Sequence, residues 1–306
     1  MNKTRQAWHF VPPILIVVLL VMMFDHSYAQ KLPTAPDNRS ETEDTGETGP
    51  AENGCRKYKL AAKGEMPSGI SLGSLDDPSN ITLSGTASMS DRTITLTDNL
   101  GQSGGAFYAC KIELGGNASF STSFQFRISQ PMGATDNDKI QGADGIAFVV
   151  QTSSAKIGGY GGGLGLQGLE PSLGVEFDTW TNGWDADGNH IGIDVNGDLT
   201  SALALPVPTP MNNGAVWRAW VDYDGIGKQL SVRLSNGQNL THRLDLEALL
   251  QSREAYVGFT SGTGSAGNLH QILSWDFIGQ FAPDRFQPGT PSESHSAQGA
   301  SAEETY

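Results

Sequence analysis

Between Glu176 and His190 the chain gathers three carboxylates, an amide and an imidazole: Glu176, Asp178, Asn182, Asp185 and His190. Hard oxygen donors of this kind suit Ca²⁺. An added imidazole makes a transition ion such as Mn²⁺ a reasonable second occupant. With no cation, such a cluster carries strong like-charge repulsion. Taken singly, each residue is an ordinary solvated polar group, so the argument rests on spacing. In a strand, residues two apart share a face. Val175, Phe177 and Thr179 then point one way, and Glu176 and Asp178 the other. After the loop, Ile191, Ile193 and Val195 share one face and His190 takes the opposite one. Paired as a hairpin in matching parity, the two runs put His190 beside Glu176 and Asp178. The loop swings Asn182 and Asp185 over the same spot. Asp185-x-Asp187-Gly188 also opens like an EF-hand loop, but its twelfth position is Asn196 and no helices flank it.

The elements that must position these residues read as strands. Arg92 to Thr97 and Phe120 to Ile128 alternate apolar and polar side chains. Gly145 to Val150, Leu173 to Thr179, His190 to Val195, Val216 to Tyr223, Gln229 to Leu234, Tyr256 to Thr260 and Leu269 to Ile278 continue the series. Turn signals such as Ser235-Asn236-Gly237 separate them. One short helix is expected over Leu244 to Ser252. With 38 glycines and only 17% charged residues, long charged helices are disfavoured. The expected fold class is all-β, a sandwich or jelly roll in a single domain.

The chain ends differ in composition. Lys3 and Arg5, the apolar run from Ile14 to Phe24 and Ser27-Tyr28-Ala29 read as a signal peptide over residues 1–29. The mature chain then has no transmembrane segment and is secreted or extracytoplasmic. Residues 30–54 read as an acidic disordered linker, 55–282 as the folded domain and 283–306 as a disordered tail. The only cysteines are Cys55 and Cys110. In an exported chain an even pair suggests a disulfide, with two buried thiols as the alternative. A formal net charge of -14 argues against nucleic acid as a partner. Asn80-Ile81-Thr82, Asn117-Ala118-Ser119 and Asn239-Leu240-Thr241 fit the N-glycosylation pattern.

The run Glu176-Phe177-Asp178-Thr179-Trp180-Thr181-Asn182-Gly183-Trp184-Asp185, followed by His190-Ile191-Gly192-Ile193-Asp194-Val195, resembles the metal loop of legume-type lectins. Asn117 to Phe124, Ala143 to Phe148, Val221-Asp222-Tyr223 and Val257 to Ser261 resemble further family strands, in the family's order. The similarity spans about Gly69 to Ile278. It implies a concanavalin-like jelly roll and a carbohydrate-binding lectin that requires divalent cations. By resemblance, Glu176, Asp178, Asp185 and His190 hold a transition metal such as Mn²⁺. Asp178, Asp185, the Asn182 side chain and the Trp180 carbonyl hold Ca²⁺. The stretch from Asp185 to His190 is shorter than in some plant members.

The resemblance also implies the saccharide residues. Asp144 is the carboxylate acceptor, preceded by a cis Ala143–Asp144 peptide. Asn182 and the Gly162 N–H donate to sugar hydroxyls, and Trp180 stacks on the C–H face. Ser265 and Ala266 lie in the loop that selects the monosaccharide. Expected partners are glycans or glycoproteins, and exposed edge strands could pair two copies into a homodimer. The rival is a glycoside hydrolase of the same architecture, which needs E-x-D-x-x-E on this strand. The final position here is Thr181, so no second carboxylate serves as acid, and the chain is read as non-catalytic.

Overall fold

The computed structural model describes residues 58–59, 72–73, 75, 77–114, 116–136, 139–153 and 156–286. The expected signal peptide, the linker, Cys55 and residues 287–306 of the expected tail lie outside the described residues. The strands in chain order begin with β1 (Tyr58–Lys59), β2 (Leu72–Gly73), β3 (Ile81–Gly85), β4 (Ser88–Ser90), β5 (Thr93–Thr97) and β6 (Ser103–Tyr108). Next come β7 (Ile112–Glu113), β8 (Phe120–Gly133), β9 (Gly145–Gln151), β10 (Ser172–Asp178), β11 (His190–Val195) and β12 (Asp198–Pro206). The series closes with β13 (Val216–Asp224), β14 (Gln229–Leu234), β15 (Asn239–Arg243), β16 (Glu254–Gly262) and β17 (Ala266–Ile278). Among the described residues the one α-helix, α1 (Leu246–Leu250), falls inside the expected helical stretch. Asp245 caps it by accepting from the Ala248 N–H.

The strands form two sheets. One runs β1-β7-β16-β9-β10-β11-β12, with β3 and β6 alongside β16. The other runs β15-β14-β13-β8-β17-β5-β4, with β2 on β17. All the pairings are antiparallel except β1 with β7. The expected all-β sandwich is therefore the fold. No helix among the described residues is long and apolar enough to cross a membrane.

Period-two alternation turns Phe120, Phe124, Phe126 and Ile128 of β8 inward, where they meet Phe148, Phe177 and Phe259 from the facing sheet. Rings of Phe124 and Phe259 lie 4.8 Å apart, edge to face. Both faces of β9 and β10 are buried. Their far side is covered by a second cluster, with Ala147 and Val149 under Leu164, Leu166 and Leu169. Those leucines belong to the glycine-rich segment after β9, so this loop is seated by apolar packing close to the β10–β11 turn.

Several edge strands carry no clear alternation. β12 is largely exposed, and β3 and β15 each pair with a single neighbour. Beyond β17 the chain stays on the sheet to residue 286. Arg233 Nη2 donates to the Pro283 carbonyl at 2.7 Å, and Trp220 Nε1 to that of Phe286 at 2.9 Å.

Candidate functional site

β10 and β11 pair with Asp178 opposite His190 and Glu176 opposite Gly192. This register puts Glu176, Asp178 and His190 on one face, and all three are buried. Gly192 makes that possible, since a Cβ there would run into the Glu176 carboxylate. His190 Nδ1 lies 2.8 Å from the Asp187 carbonyl, which can only accept, so Nδ1 donates. Nε2 then faces Glu176 Oε1 at 3.0 Å. From the neighbouring strand β12, Ser201 Oγ donates to the same oxygen at 2.5 Å.

Short polar side chains fold the loop back over this face. Asp178 Oδ1 accepts from the Trp180 N–H at 2.6 Å, and Asp185 Oδ2 from that of Asn182 at 2.7 Å. Asp187 Oδ1 accepts from the Asn189 N–H at 2.8 Å. The Asn189 side chain donates to the Val207 and Thr209 carbonyls and accepts from the Met211 N–H. That anchors the loop to the segment after β12.

A second loop reaches the same place. The Ala143–Asp144 peptide is cis. The Asp144 carbonyl accepts from Thr179 N–H at 2.7 Å and Thr179 Oγ1 at 3.0 Å, while its N–H donates to the Gly262 carbonyl at 3.2 Å. Gly162 packs against the Asn182 carboxamide, and the backbones of Gly161 and Gly264 lie against the Asp144 carboxylate. Asp144, Gly162, Asn182, Asp178, Asp185, Glu176 and His190 therefore converge. Trp180 is half-buried beside them, held through its N–H. Ser265 is exposed at the tip of the loop between β16 and β17. The Ala266 side chain is buried and its carbonyl accepts from Gly264 N–H at 2.9 Å, while the Gly264 backbone lies against the Asp144 carboxylate.

The electrostatics are those of carboxylates crowded out of water. Burial, then the charges of Glu176, Asp185 and Asp144, push Asp178 well up, against the opposing Trp180 N–H. Burial also raises Asp185, against the Asn182 N–H and His190. It pushes Asp144 up to about 7, opposed by the Gly264 amide. Burial alone would lower His190, but its hydrogen bond to Glu176 and the charges of Glu176 and Asp185 hold it above the usual histidine value.

Four further residues belong here. Asp194 of β11 is fully buried, and neither oxygen has a partner of ordinary hydrogen-bond geometry. Burial and the Glu176 charge push it well up, with Ser201 opposing. It stands two and four residues beyond Gly192 and His190, so strand alternation alone places it on the ligand face. Ser201 arrives only through the β11–β12 pairing, for which the sequence carries no signal. Tyr160, beside Gly161, and Trp184, near Asn182, are exposed aromatics at the rim. Exposure of that kind follows from loop geometry, which spacing does not encode.

Among the described residues no three His, Cys, Asp or Glu side chains already stand as metal ligands. Glu176, Asp178 and Asp185 are each turned to internal donors instead. The donor set nevertheless fits cations. Asp144 Oδ2, Asn182 Oδ1 and both Asp194 oxygens are buried without a hydrogen-bond partner. His190 offers Nε2 to the carboxylates with Nδ1 fixed by a carbonyl, the arrangement of a metal-bound histidine. Among the described residues, no lysine or arginine is a leading influence on Asp178, Asp185 or Asp194.

The family model described as the legume lectin domain matches residues 71–291. Lectin 1 of Laburnum alpinum is 33% identical over 233 residues, covering 67% of this chain and 90% of that protein. The structure of basic winged bean lectin with Tn-antigen superposes with a TM-score of 0.60 at 30% identity, covering 68% and 97% of the two chains. The metal-free form of lectin I-B4 from Griffonia simplicifolia gives 0.60 at 28% identity, covering 69% and 99%.

Proposed function

The chain belongs to the legume lectin family, and we propose that it binds glycans through a pocket that bound cations hold in shape. Lectin and carbohydrate-binding character come with the family. Cation identity and the residues involved are our reading. Ca²⁺ would be held by Asp178, Asp185, the Asn182 side chain and the Trp180 carbonyl. A transition ion such as Mn²⁺ would be held by Glu176, Asp178, Asp185 and His190. Bound cations supply the positive charge that this buried acidic cluster lacks.

Around them Asp144 accepts from saccharide hydroxyls, and Asn182 and the Gly162 N–H donate. Trp180 offers an aromatic face to sugar C–H groups, and Ser265, with Ala266 next to it in the chain, stands at the opening. One observation carries this reading above the others. Asp144 Oδ2 and Asn182 Oδ1, from different loops, are both buried without a hydrogen-bond partner beside the carboxylate cluster. A buried acceptor left unpaired costs about 1–3 kcal/mol, which a ligand recovers.

The remaining parts of the reading follow from export. Residues 1–29 act as a signal peptide, the domain over 55–282 is released outside the cytoplasm, and Cys55 pairs with Cys110 as a disulfide. Edge strands support a homodimer. No catalysis is assigned, because Thr181 stands where a hydrolase needs its second carboxylate.

A glycan array probed with and without a chelator tests the proposal. We expect binding in Ca²⁺ and Mn²⁺ that is lost on chelation and restored on return of the ions. Equal binding in both conditions, or none with ions present, refutes it. Release of reducing ends from β-glucans, abolished by Glu176→Gln, would establish the hydrolase instead.

A further inference from the structure

His270 of β17 has none of its surface exposed. Its Nδ1 is 2.7 Å from Oγ1 of Thr97, its register partner in β5. Thr97 Oγ1 is 3.2 Å from Ser261 Oγ in β16, on the facing sheet. Ser261 Oγ donates to the Gly145 carbonyl at 2.7 Å. Gly145 opens β9 immediately after Asp144. Three side chains thus link a buried imidazole in one sheet to the backbone of a saccharide-binding loop in the other.

Proton counting fixes the direction of this chain. A hydroxyl has one proton to donate. Ser261 gives its proton to the Gly145 carbonyl, so the Thr97 contact must use the proton of Thr97. Thr97 then has none left for the imidazole, and its oxygen accepts from His270 Nδ1–H. Nε2 is left as the bare nitrogen, and it is the ring atom without a hydrogen-bond partner. Burial holds the ring neutral by pushing its pKa down to about 3.

We propose that His270, Thr97 and Ser261 are positioning residues, a one-way donor chain that fixes the Gly145 carbonyl and so aims the Asp144 carboxylate. The peptides on either side of the Gly145 Cα, directly after Asp144, are then gripped independently. Thr179 holds the Asp144 carbonyl and Ser261 holds that of Gly145. Gly145 cannot retreat in the other direction. Its φ is +155°, and a Cβ there would strike the Phe177 carbonyl, so strand β10 packs directly on its backbone. The purpose assigned to Asp144 rests on the saccharide reading above. The chain itself does not.

The test uses full-length protein loaded with Ca²⁺ and Mn²⁺ and labelled with ¹⁵N-histidine. Imidazole ¹⁵N spectra should show His270 protonated at Nδ1 and bare at Nε2, assigned by loss of that pair in His270→Gln. The opposite tautomer, or a doubly protonated ring at neutral pH, overturns the proposal. Amide hydrogen exchange gives the second readout. Thr97→Val keeps shape but removes the hydroxyl. It should speed exchange at Asp144 and Thr179 about tenfold while leaving Val232 in β14 unchanged. Thr97→Ser should restore wild-type rates, and Ser261→Ala should reproduce the valine effect. Equal acceleration at Val232, or none at Thr179, shows a merely structural contact and refutes positioning. A wild-type protein that binds no glycan would sink the saccharide reading while leaving these two results to stand or fall on their own.

Discussion

The β10–β11 hairpin and the His270 chain both put polar side chains where water does not reach, and they reach balance by different means. In the hairpin, acceptors far outnumber donors. Glu176, Asp178, Asp185, Asp144 and Asp194 crowd together with His190 as the only basic side chain among them. In the chain of His270, Thr97 and Ser261, each donor meets one acceptor and only a bare nitrogen is left over. The difference teaches where to look for a ligand. A buried polar group that is matched from within positions other atoms, whereas one left in deficit needs something from outside.

Removing one shared carboxylate should break the comparison most severely. Asp178→Asn takes a ligand from both proposed cation sites, so cation affinity should fall more than about 100-fold and glycan binding with it. The metal-free form should become more stable by about 1 kcal/mol, because a buried like charge has gone. Titration calorimetry with Ca²⁺ and melting in chelator measure the two effects. Loss of stability in chelator would mean that the cluster is not in deficit.

The next effect in size is a pair of opposed pH limbs in the metal-free protein. Asp144 holds its proton to about 7 in the fold against 3.8 ordinarily, so the folded state binds more protons than the unfolded one across that window. Stability contributed there is present at low pH and declines as pH rises from about 4 to about 7, by at most about 1.4 kcal/mol per unit for one group. Saturating Ca²⁺ should flatten or reverse this limb. His270 behaves the other way. Its pKa falls from 6.5 to about 3, so the unfolded chain takes up the proton first. Its contribution is present above about pH 6.5 and is lost as pH falls. Denaturant melts in chelator across pH 4–8, for wild type and His270→Gln, separate the two. A His270→Gln curve without the decline between about pH 4 and 7 would contradict the hairpin account.

The smallest change sharpens the boundary between the two regions. Ser201→Ala removes a donor to Glu176 without touching a proposed ligand. Cation affinity should drop about tenfold, with glycan affinity at saturating cation nearly unchanged. An equal loss in both would place Ser201 in the saccharide pocket itself.

Much of this was legible in the chain before any coordinates. Alternation put Glu176, Asp178 and His190 on one face, and the observed register agrees because a one-residue slip would turn Val175, Phe177 and Ile191 out of the core between the sheets. The same rule covered Asp194, although the spacing of familiar ligands did not draw attention to it. The edge strands β3, β12 and β15 were not legible, because half-exposed segments need no clean pattern. Nor was the inward turn of the Ala266 side chain. The start of β17 turns its side chain inward and leaves Gly264 against Asp144.

The sequence by itself determined the core strands, the sandwich and the identity of the carboxylates and imidazole that share a hairpin, because these follow from period-two patterning and short-range turn chemistry. Only the tertiary structure decided that Asp144, Gly162 and Asn182 meet, that Ser201 reaches Glu176, and that His270 is tied through Thr97 and Ser261 to Gly145. Those contacts join residues far apart in the chain, and their distances are set by how two sheets and their loops pack, which no local pattern records.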